Sequence, residues 1–317
     1  MRFWSLLVVA WMPVLQVLLA GMLGACLASS RFNVLTSDAR RSINKIVYIV
    51  FVPSLVFSSL AGTVTLKDVI SWWFMPVNMS IIFLIGATLG WLAVKTLRPG
   101  EHLQGLVIAC SSAGNWGTIP LMIVPAICNE EDSPFGDATT CKSLGISYVS
   151  LSMALGNFFI WTHSYSVMKR SAQLYNKGCN DHPTTNNILV RMSRTTQDAA
   201  IPCTVLILGG NLTKGRGRTT MKPLVVISII VIRFVILPAC GIGVVKAARE
   251  LGFLPGSPLY HYVLLLQSTV PPAMSIGTIA QLFDVGEEEC SIVFLWTHLV
   301  AALALTLWST VFMSLVS

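Results

Sequence analysis

Long apolar runs recur along almost the whole chain, and they constrain its fold more than any other feature. A membrane-spanning helix needs about 20 mainly apolar residues. A shorter run at 199–212 would make a helix of about 21 Å, against a hydrocarbon core of about 30 Å. We therefore predict an all-α polytopic membrane protein with eight full spans and one partial helix. The full spans are 4–28, 43–62, 69–94, 103–127, 143–167, 223–246, 259–283 and 290–316.

Composition excludes several other classes of protein. Hydrophobic residues make up 54% of the chain and charged residues only 11%, whereas a soluble domain has roughly 25% charged residues. The net charge of +7 comes from Lys and Arg between the apolar runs, where such charges orient helices rather than bind nucleic acid. The sequence has neither a phosphate-binding loop nor Cys and His at metal-ligand spacing. We therefore expect a lipid bilayer as partner, no cofactor, no metal and no enzymatic activity.

The positive-inside rule orients the spans. Basic segments 29–42, 95–102, 168–198 and 213–222 are assigned to the cytosol, which places the N-terminus on the opposite side, in a lumen or at the exterior. The acidic loop 128–142 then also faces that side. Cys128 and Cys141 bracket this loop, and they would form a disulfide if the lumen is oxidising.

Two of the predicted spans are interrupted by residues that weaken a helix. The first contains SSAGNWGTIP at 111–120, and the second contains QSTVPPAMSIG at 267–277. Glycine and adjacent prolines free backbone groups that lipid cannot satisfy, so such breaks are tolerated where they face protein or a water-filled cavity. The breaks are either ordinary kinks or parts of one site.

The positions of the breaks favour one site. Spans 69–94, 103–127 and 143–167 form a triplet with a broken middle member, and the last three spans form another. The two triplets start on opposite sides of the membrane. Interrupted segments at corresponding positions of inverted repeats indicate the substrate site of a secondary transporter.

This reading divides the chain into five parts. They are N-terminal scaffold helices at 1–65, a first transport-bundle triplet at 66–168, a cytosolic loop at 169–198, a partial scaffold helix with a basic loop at 199–222, and a second triplet at 223–317.

The expected ligand of crossed, broken helices is an anion. Half-helix N-termini present unpaired N–H groups and positive dipole ends, which suit a carboxylate. An asparagine adds an amide donor, and Trp and Met offer packing for an aromatic or apolar body. The predicted substrate-binding residues are Gly114, Asn115, Trp116, Gly117, Thr118, Pro120, Gln267, Pro271, Pro272, Met274 and Ser275.

Arg233 lies near the middle of the span 223–246. An arginine at such a depth costs about 2.5–3.5 kcal/mol on insertion scales and indicates a function. It is either a counter-ion, for the substrate or for a carboxylate elsewhere, or a donor to backbone carbonyls at the break caused by Pro238.

Several separated blocks of the sequence resemble the plant PIN-LIKES family, part of the wider auxin efflux carrier group. The blocks are ACSSAGNWGTIPLMIVPAIC, SPFGDATTCKSLGISYVSLSMALG, AIPCTVLILGGNLTKG, PLYHYVLLLQSTVPPAMSIGTIAQLF and GEEECSIVFLWTH. The resemblance implies two inverted five-helix repeats whose proline-broken fourth and ninth helices cross at the substrate site. It further implies residence in the endoplasmic reticulum membrane and intracellular transport of auxin, a weak acid with an indole ring, with effects on auxin signalling.

The chain departs from this family pattern after its fifth span. Residues 164–203 run directly into the remnant of the family's seventh helix, so the sixth helix and the start of the seventh are missing. A splice variant or a faulty gene model would each explain the gap. In related carriers the missing helix belongs to the scaffold and the dimer face. The chain is therefore either a carrier, with a homo- or hetero-dimer as its assembly, or a non-transporting isoform that regulates full-length carriers.

Overall fold

The computed structural model describes residues 3–29, 31–32, 34–47, 66–129, 133–176 and 221–316. Most of the second predicted span, the segment 177–220 with the partial helix 199–212, and most of the loop assigned to 169–198 lie outside these residues. The count of eight spans and the five-part division therefore stay predictions.

The described chain is helical, with no strand longer than a single bridge. We number thirteen α-helices within the described residues. They are α1 Phe3–Ala28, α2 Ser37–Ile46, α3 Leu66–Ser71, α4 Phe74–Leu97, α5 Glu101–Ser112, α6 Thr118–Cys128, α7 Ala138–Phe159, α8 Tyr165–Asn176, α9 Pro223–Val231, α10 Leu237–Glu250, α11 Pro258–Leu266, α12 Ser275–Leu282 and α13 Glu287–Val316.

Two π-helical turns join consecutive helices without a break. Ile160–Ser164 connects α7 to α8, and Ile232–Ile236 connects α9 to α10. In the described parts of the chain, four helical stretches are long and apolar enough to cross a membrane: Phe74–Leu97, Ala138–Tyr175, Pro223–Glu250 and Glu287–Val316. These findings support a multi-pass membrane protein.

The observed helix limits differ from the predicted spans in three places. The third span is split by a turn at Trp72 and Trp73, between α3 and α4. The fifth continues as a helix to Asn176, so the boundary at 168–169 falls inside α8. The last helix begins at Glu287 rather than 290. In the last two cases polar or charged residues prolong an apolar helix beyond its apolar run, because helical geometry does not require apolar residues at the ends.

The bundle has two ends, which we name by landmarks. At the disulfide end, Phe135 of the segment between Cys128 and Cys141 lies against Tyr262 of α11, with ring centroids 5.4 Å apart. The Tyr260 hydroxyl of α11 donates to the Trp72 carbonyl, just before α4, at 3.2 Å. The rings of Trp73 and Phe253 also meet there, with centroids 5.5 Å apart. The start of α4 thus lies beside the loop that ends α10.

The opposite end, which we call the Arg98 end, contains the start of α5. The Ser171 hydroxyl on α8 donates to the Glu101 carbonyl there. Gly286, directly before α13, lies against Leu103 and Leu106 of α5. Consequently α4 begins at the disulfide end and α13 begins at the Arg98 end.

Two apolar cores fill the bundle. One contains residues of α6, α7, α11 and the second half of α13, toward the disulfide end. The other contains residues of α4, α5, α9 and α12, toward the Arg98 end. The interruptions in the two broken helices lie away from both ends, and they contribute Ala113, Trp116, Val270 and Ala273 to the second of these cores.

Candidate functional site at the helix crossing

The first interruption separates α5 from α6 and comprises Ala113–Gly117. A Cβ atom at Gly114 would lie 2.6 Å from Val270 Cγ2, and one at Gly117 would lie 2.6 Å from Met153 Sδ. Both contacts are far shorter than van der Waals distance. A side chain at Gly114 would therefore displace the branched Val270 side chain, whereas one at Gly117 would displace the end of the flexible Met153 side chain.

The second interruption separates α11 from α12. A turn at Gln267–Thr269 leads into an extended segment that contains Pro271 and Pro272. Neither proline has an N–H group to place, and each disfavours helical geometry in the residue before it. Both predicted helix breaks thus lie where Gly and Pro indicated.

The two interruptions pair with each other as a short antiparallel bridge between Gly114 and Pro272. The Asn115 N–H donates to the Pro271 carbonyl at 2.7 Å, and the Ala273 N–H donates to the Ala113 carbonyl at 3.0 Å. In this register neither bridge residue donates, so Pro272 fits without losing a bond. The bridge also satisfies backbone groups that the breaks release.

A buried polar network fixes the second interruption to its neighbours. Gln267 Oε1 accepts from Asn78 Nδ2 at 2.9 Å, and Gln267 Nε2 donates to Ser152 Oγ at 2.7 Å. The carbonyl of Gln267 accepts from Trp116 Nε1 at 2.8 Å. Gln267, predicted to bind substrate, therefore holds helices α4, α7 and α11 together.

The side chain of Trp116 is buried between two neighbouring helices. It is 2% exposed, and a Cβ atom at Gly156 would lie 2.5 Å from Trp116 Cε3. Phe83 lies on another side, with ring centroids 6.3 Å apart. The indole therefore packs between α4 and α7 in this structure.

The other predicted site residues remain available to a ligand to differing degrees. Asn115 is 7% exposed, and its Nδ2 has no hydrogen-bond partner. Thr118 and Ser275 are partly exposed, and Met274 is 8% exposed. Pro120 is buried in the first turn of α6, where a missing N–H is tolerated because the first N–H groups of a helix lack intrahelical partners.

We call the two interruptions and the helix ends beside them the crossing. The two helices that start there, α6 and α12, have no side-chain caps at their N-termini. Gly117 precedes α6 and Met274 precedes α12, and neither provides a capping hydrogen bond. The positive ends of two helices therefore face the crossing without a side-chain acceptor.

Arg233 lies fully buried in the π-helical turn between α9 and α10. Its Nε donates to the Cys110 carbonyl at 2.9 Å, while Nη1 and Nη2 have no partner. The predicted alternative, pairing at the Pro238 break, does not fit. The Phe234 carbonyl, four residues before Pro238, instead accepts from Trp308 Nε1 at 2.8 Å.

Cys128 and Cys141 form a disulfide at the end of the bundle, with Cα atoms 5.7 Å apart. Nearby, Asp137 caps α7 by accepting from the Thr140 N–H at 3.0 Å. Hydrogen bonds from the Thr139 hydroxyl and from Thr140 lower the pKa of the Asp137 carboxyl.

Sequence reasoning missed Asn78 and Ser152. Both are buried polar residues inside predicted spans, and such residues are expensive in a membrane unless they have partners. That signal was present, but the partners are 186 or more and 115 residues away along the chain.

Comparison with known proteins identifies the class. The Membrane transport protein family model matches residues 9–194 and 182–309. Together with the apolar helices, this makes the chain a helical, multi-pass membrane transport protein.

Individual relatives narrow the assignment. PIN-LIKES 5 of Arabidopsis thaliana is 42% identical over 394 aligned positions, which cover 99% of this chain and 100% of the relative. PIN-LIKES 7 is 43% identical over 395 positions, covering 100% of both, and PIN-LIKES 1 is 36% identical over 384 positions, covering 100% of this chain and 81% of the relative, both from the same organism. The chain belongs to the membrane transport protein family and, within it, to the PIN-LIKES proteins.

These alignments are longer than the chain. The alignment with PIN-LIKES 5 has 394 positions, 77 more than the 317 residues available. The two family matches overlap at residues 182–194, inside the region where the sixth helix is predicted to be missing.

Proposed function

We propose that this protein carries auxin-like organic anions, such as indole-3-acetate, and binds them at the crossing of the two interrupted helices. The observation that carries the proposal is the bridge between Gly114 and Pro272. It joins the interrupted segments of two helices, one from each triplet, away from both ends of the bundle.

The polarity of the crossing supports an anionic ligand. The starts of α6 and α12 offer N–H groups and the positive ends of helix dipoles. Asn115 Nδ2 adds a buried donor without a partner, and a buried donor is stabilised by an acceptor that a ligand supplies. Thr118, Met274 and Ser275 complete the lining that we assign to the ligand.

The arrangement of helices at the two ends supports the inverted repeat. The first triplet begins at the disulfide end and the third helix of the second triplet begins at the Arg98 end. Inverted triplets with their breaks at a shared centre suit alternating access.

We further propose that the protein resides in the endoplasmic reticulum membrane with the disulfide end in the lumen. The Cys128–Cys141 disulfide supports this orientation, because such bonds persist in oxidising compartments. Cysteine labelling before and after reduction, in intact and in opened microsomes, tests it. Labelling of these two residues from the cytosolic side would contradict it.

Retention of radiolabelled indole-3-acetate in cells that express the chain tests transport. Wild-type cells should retain a different amount of label from empty-vector cells, and Asn115→Ala should abolish the difference. Asn157→Ala is the matched control, because Asn157 Nδ2 donates only to the Met153 carbonyl of its own helix. Equal retention in vector, wild-type and Asn115→Ala cells, with each protein detected in the membrane, would contradict the proposal.

The length of the alignments supports a second candidate, a non-transporting isoform that pairs with full-length carriers. A missing scaffold helix would alter the surface on which a moving bundle works. Co-expression with a full-length PIN-LIKES protein should then change the retention of label by that protein. An unchanged full-length activity, together with no co-purification, would exclude this function.

A further inference from the structure

The broken helices α5 and α11 end in the same way. Each has a backbone carbonyl two residues before its last helical residue that accepts from a side chain of another helix. Cys110 accepts from Arg233 Nε, and Leu264 accepts from Asn78 Nδ2 at 3.1 Å. The donors belong to the first helix of the opposite triplet in both cases.

Capping the end of α5 explains the hydrogen bond from Arg233 Nε to the Cys110 carbonyl, but it does not explain why the donor is a charged residue. A neutral amide is sufficient to cap α11, so capping alone does not require a guanidinium at α5. Arg233 carries five N–H donors and is always charged. Only its Nε is used, and the two terminal nitrogens are buried without partners.

Among the described residues, no carboxylate bonds to the two terminal nitrogens of Arg233. The sequence has 14 acidic residues, and all of them lie outside the nine apolar runs. Arg233 lies about ten residues into its run, or about 15 Å along the helix. A buried charge without a counter-charge is strongly unfavourable.

We infer that Arg233 is the counter-ion of the transported anion, with Nη1 and Nη2 binding its carboxylate while Nε holds the end of α5. This inference rests on the proposed function and adds its charge-selecting residue. The planar fork of a guanidinium matches the two oxygens of a carboxylate. The same side chain therefore links ligand charge to the position of the broken helix.

Paired ligands that differ only in charge test the inference. Binding is measured with the full chain in lipid nanodiscs, using indole-3-acetate against indole-3-acetamide and benzoate against benzamide. The wild type should prefer each acid. Arg233→Gln should weaken acid binding by about 30-fold or more, as expected for loss of one partner of a buried charge pair, and should change amide binding by less than about 3-fold.

Two further variants separate this role from a structural one. Arg233→Lys keeps the charge, so it should retain a preference for the acids even if Arg233→Gln does not fold. Asn78→Leu removes the equivalent cap at the end of α11 without changing charge. It should therefore lower thermal stability and leave the ratio of acid affinity to amide affinity unchanged.

The outcomes are distinct. A wild type that prefers neither acid over its amide, an equal loss of acid and amide binding in Arg233→Gln, or loss of the acid preference in Arg233→Lys would each overturn the inference. Preference for benzoate over benzamide without binding of indole-3-acetate would support Arg233 as the anion subsite and contradict auxin as the ligand.

Discussion

The helix ends at the crossing fall into two groups. The C-terminal ends of α5 and α11 each receive a donor from another helix, Arg233 or Asn78. The N-terminal ends of α6 and α12 receive no side-chain cap. By contrast, α7 and α11 begin at the disulfide end with side-chain caps from Asp137 and Ser257.

This difference has an electrostatic consequence. The C-terminal ends of the broken helices receive donors from within the protein, whereas the N-terminal ends receive no side-chain acceptor. Because positive helix ends favour negative charge, this difference supports the anionic ligand that we propose.

The largest expected loss of stability and transport comes from forcing apart the two interruptions, which are joined by the bridge between Gly114 and Pro272. Gly114→Val places a branched side chain against Val270, 2.6 Å from the new Cβ atom. Overpacking of this kind should lower the free energy of unfolding by about 3 kcal/mol and abolish transport. Thermal unfolding in detergent and label retention measure the two effects.

Gly243→Ala is the control for this substitution. Gly243 lies in α10 with open space around its Cβ position, so alanine should leave stability unchanged or raise it by up to about 1 kcal/mol. A Gly114→Val protein as stable as Gly243→Ala would show that the segments are not closely paired.

The next largest loss of stability should come from removing the side-chain cap at the C-terminal end of α11, which Asn78 provides. Asn78→Leu leaves the Leu264 carbonyl and Gln267 Oε1 without this donor, and buried unpaired acceptors should lower the free energy of unfolding by about 2 kcal/mol. Ser80→Ala, which removes only a bond to the Pro76 carbonyl of the same helix, should have little effect in the same thermal assay. Equal losses in the two variants would contradict a special role for the cap.

A smaller effect distinguishes the crossing from the rest of the bundle. Trp116→Phe and Trp308→Phe each remove one indole N–H bond to a backbone carbonyl, at 2.8 Å in both cases. Each should lower the free energy of unfolding by about 1 kcal/mol. Only Trp116→Phe should reduce transport, and an equal reduction in Trp308→Phe would argue against the crossing as the site.

The smallest effect concerns the capped start of α7. Because the Asp137 carboxyl has a pKa below its ordinary value, its stabilising contribution is present above that ordinary value and is lost as pH falls through the lowered pKa. Asp137→Asn should therefore slightly lower thermal stability at neutral pH and make no difference in strong acid. A difference that grows on acidification would contradict this.

The sequence was sufficient to predict the two breaks because their causes are local. Gly114, Gly117, Pro271 and Pro272 each have a low helix propensity of their own, and the structure interrupts both helices there. The approach of Val270 and Met153 to the glycines is a separate, long-range feature. The pairing of Cys128 with Cys141 was likewise suggested by a short loop between them.

Other features depended on contacts between distant parts of the chain. The bond from Arg233 to Cys110 joins residues 123 positions apart, and no local pattern specifies it. The same holds for Gln267 and Trp116, which were assigned to the ligand but bond to each other. The turn at Trp72–Trp73 was missed because two tryptophans look like ordinary apolar residues in a span.

The bridge between Gly114 and Pro272 also limits how such a protein could change its shape. To swing one half-helix alone, the chain would have to break the two main-chain hydrogen bonds of the bridge, from Asn115 to Pro271 and from Ala273 to Ala113. The two bridged interruptions should therefore move as one rigid unit. Access from either side of the membrane would then open when the surrounding helices slide or tilt past this unit, and not when the chain bends at the bridge.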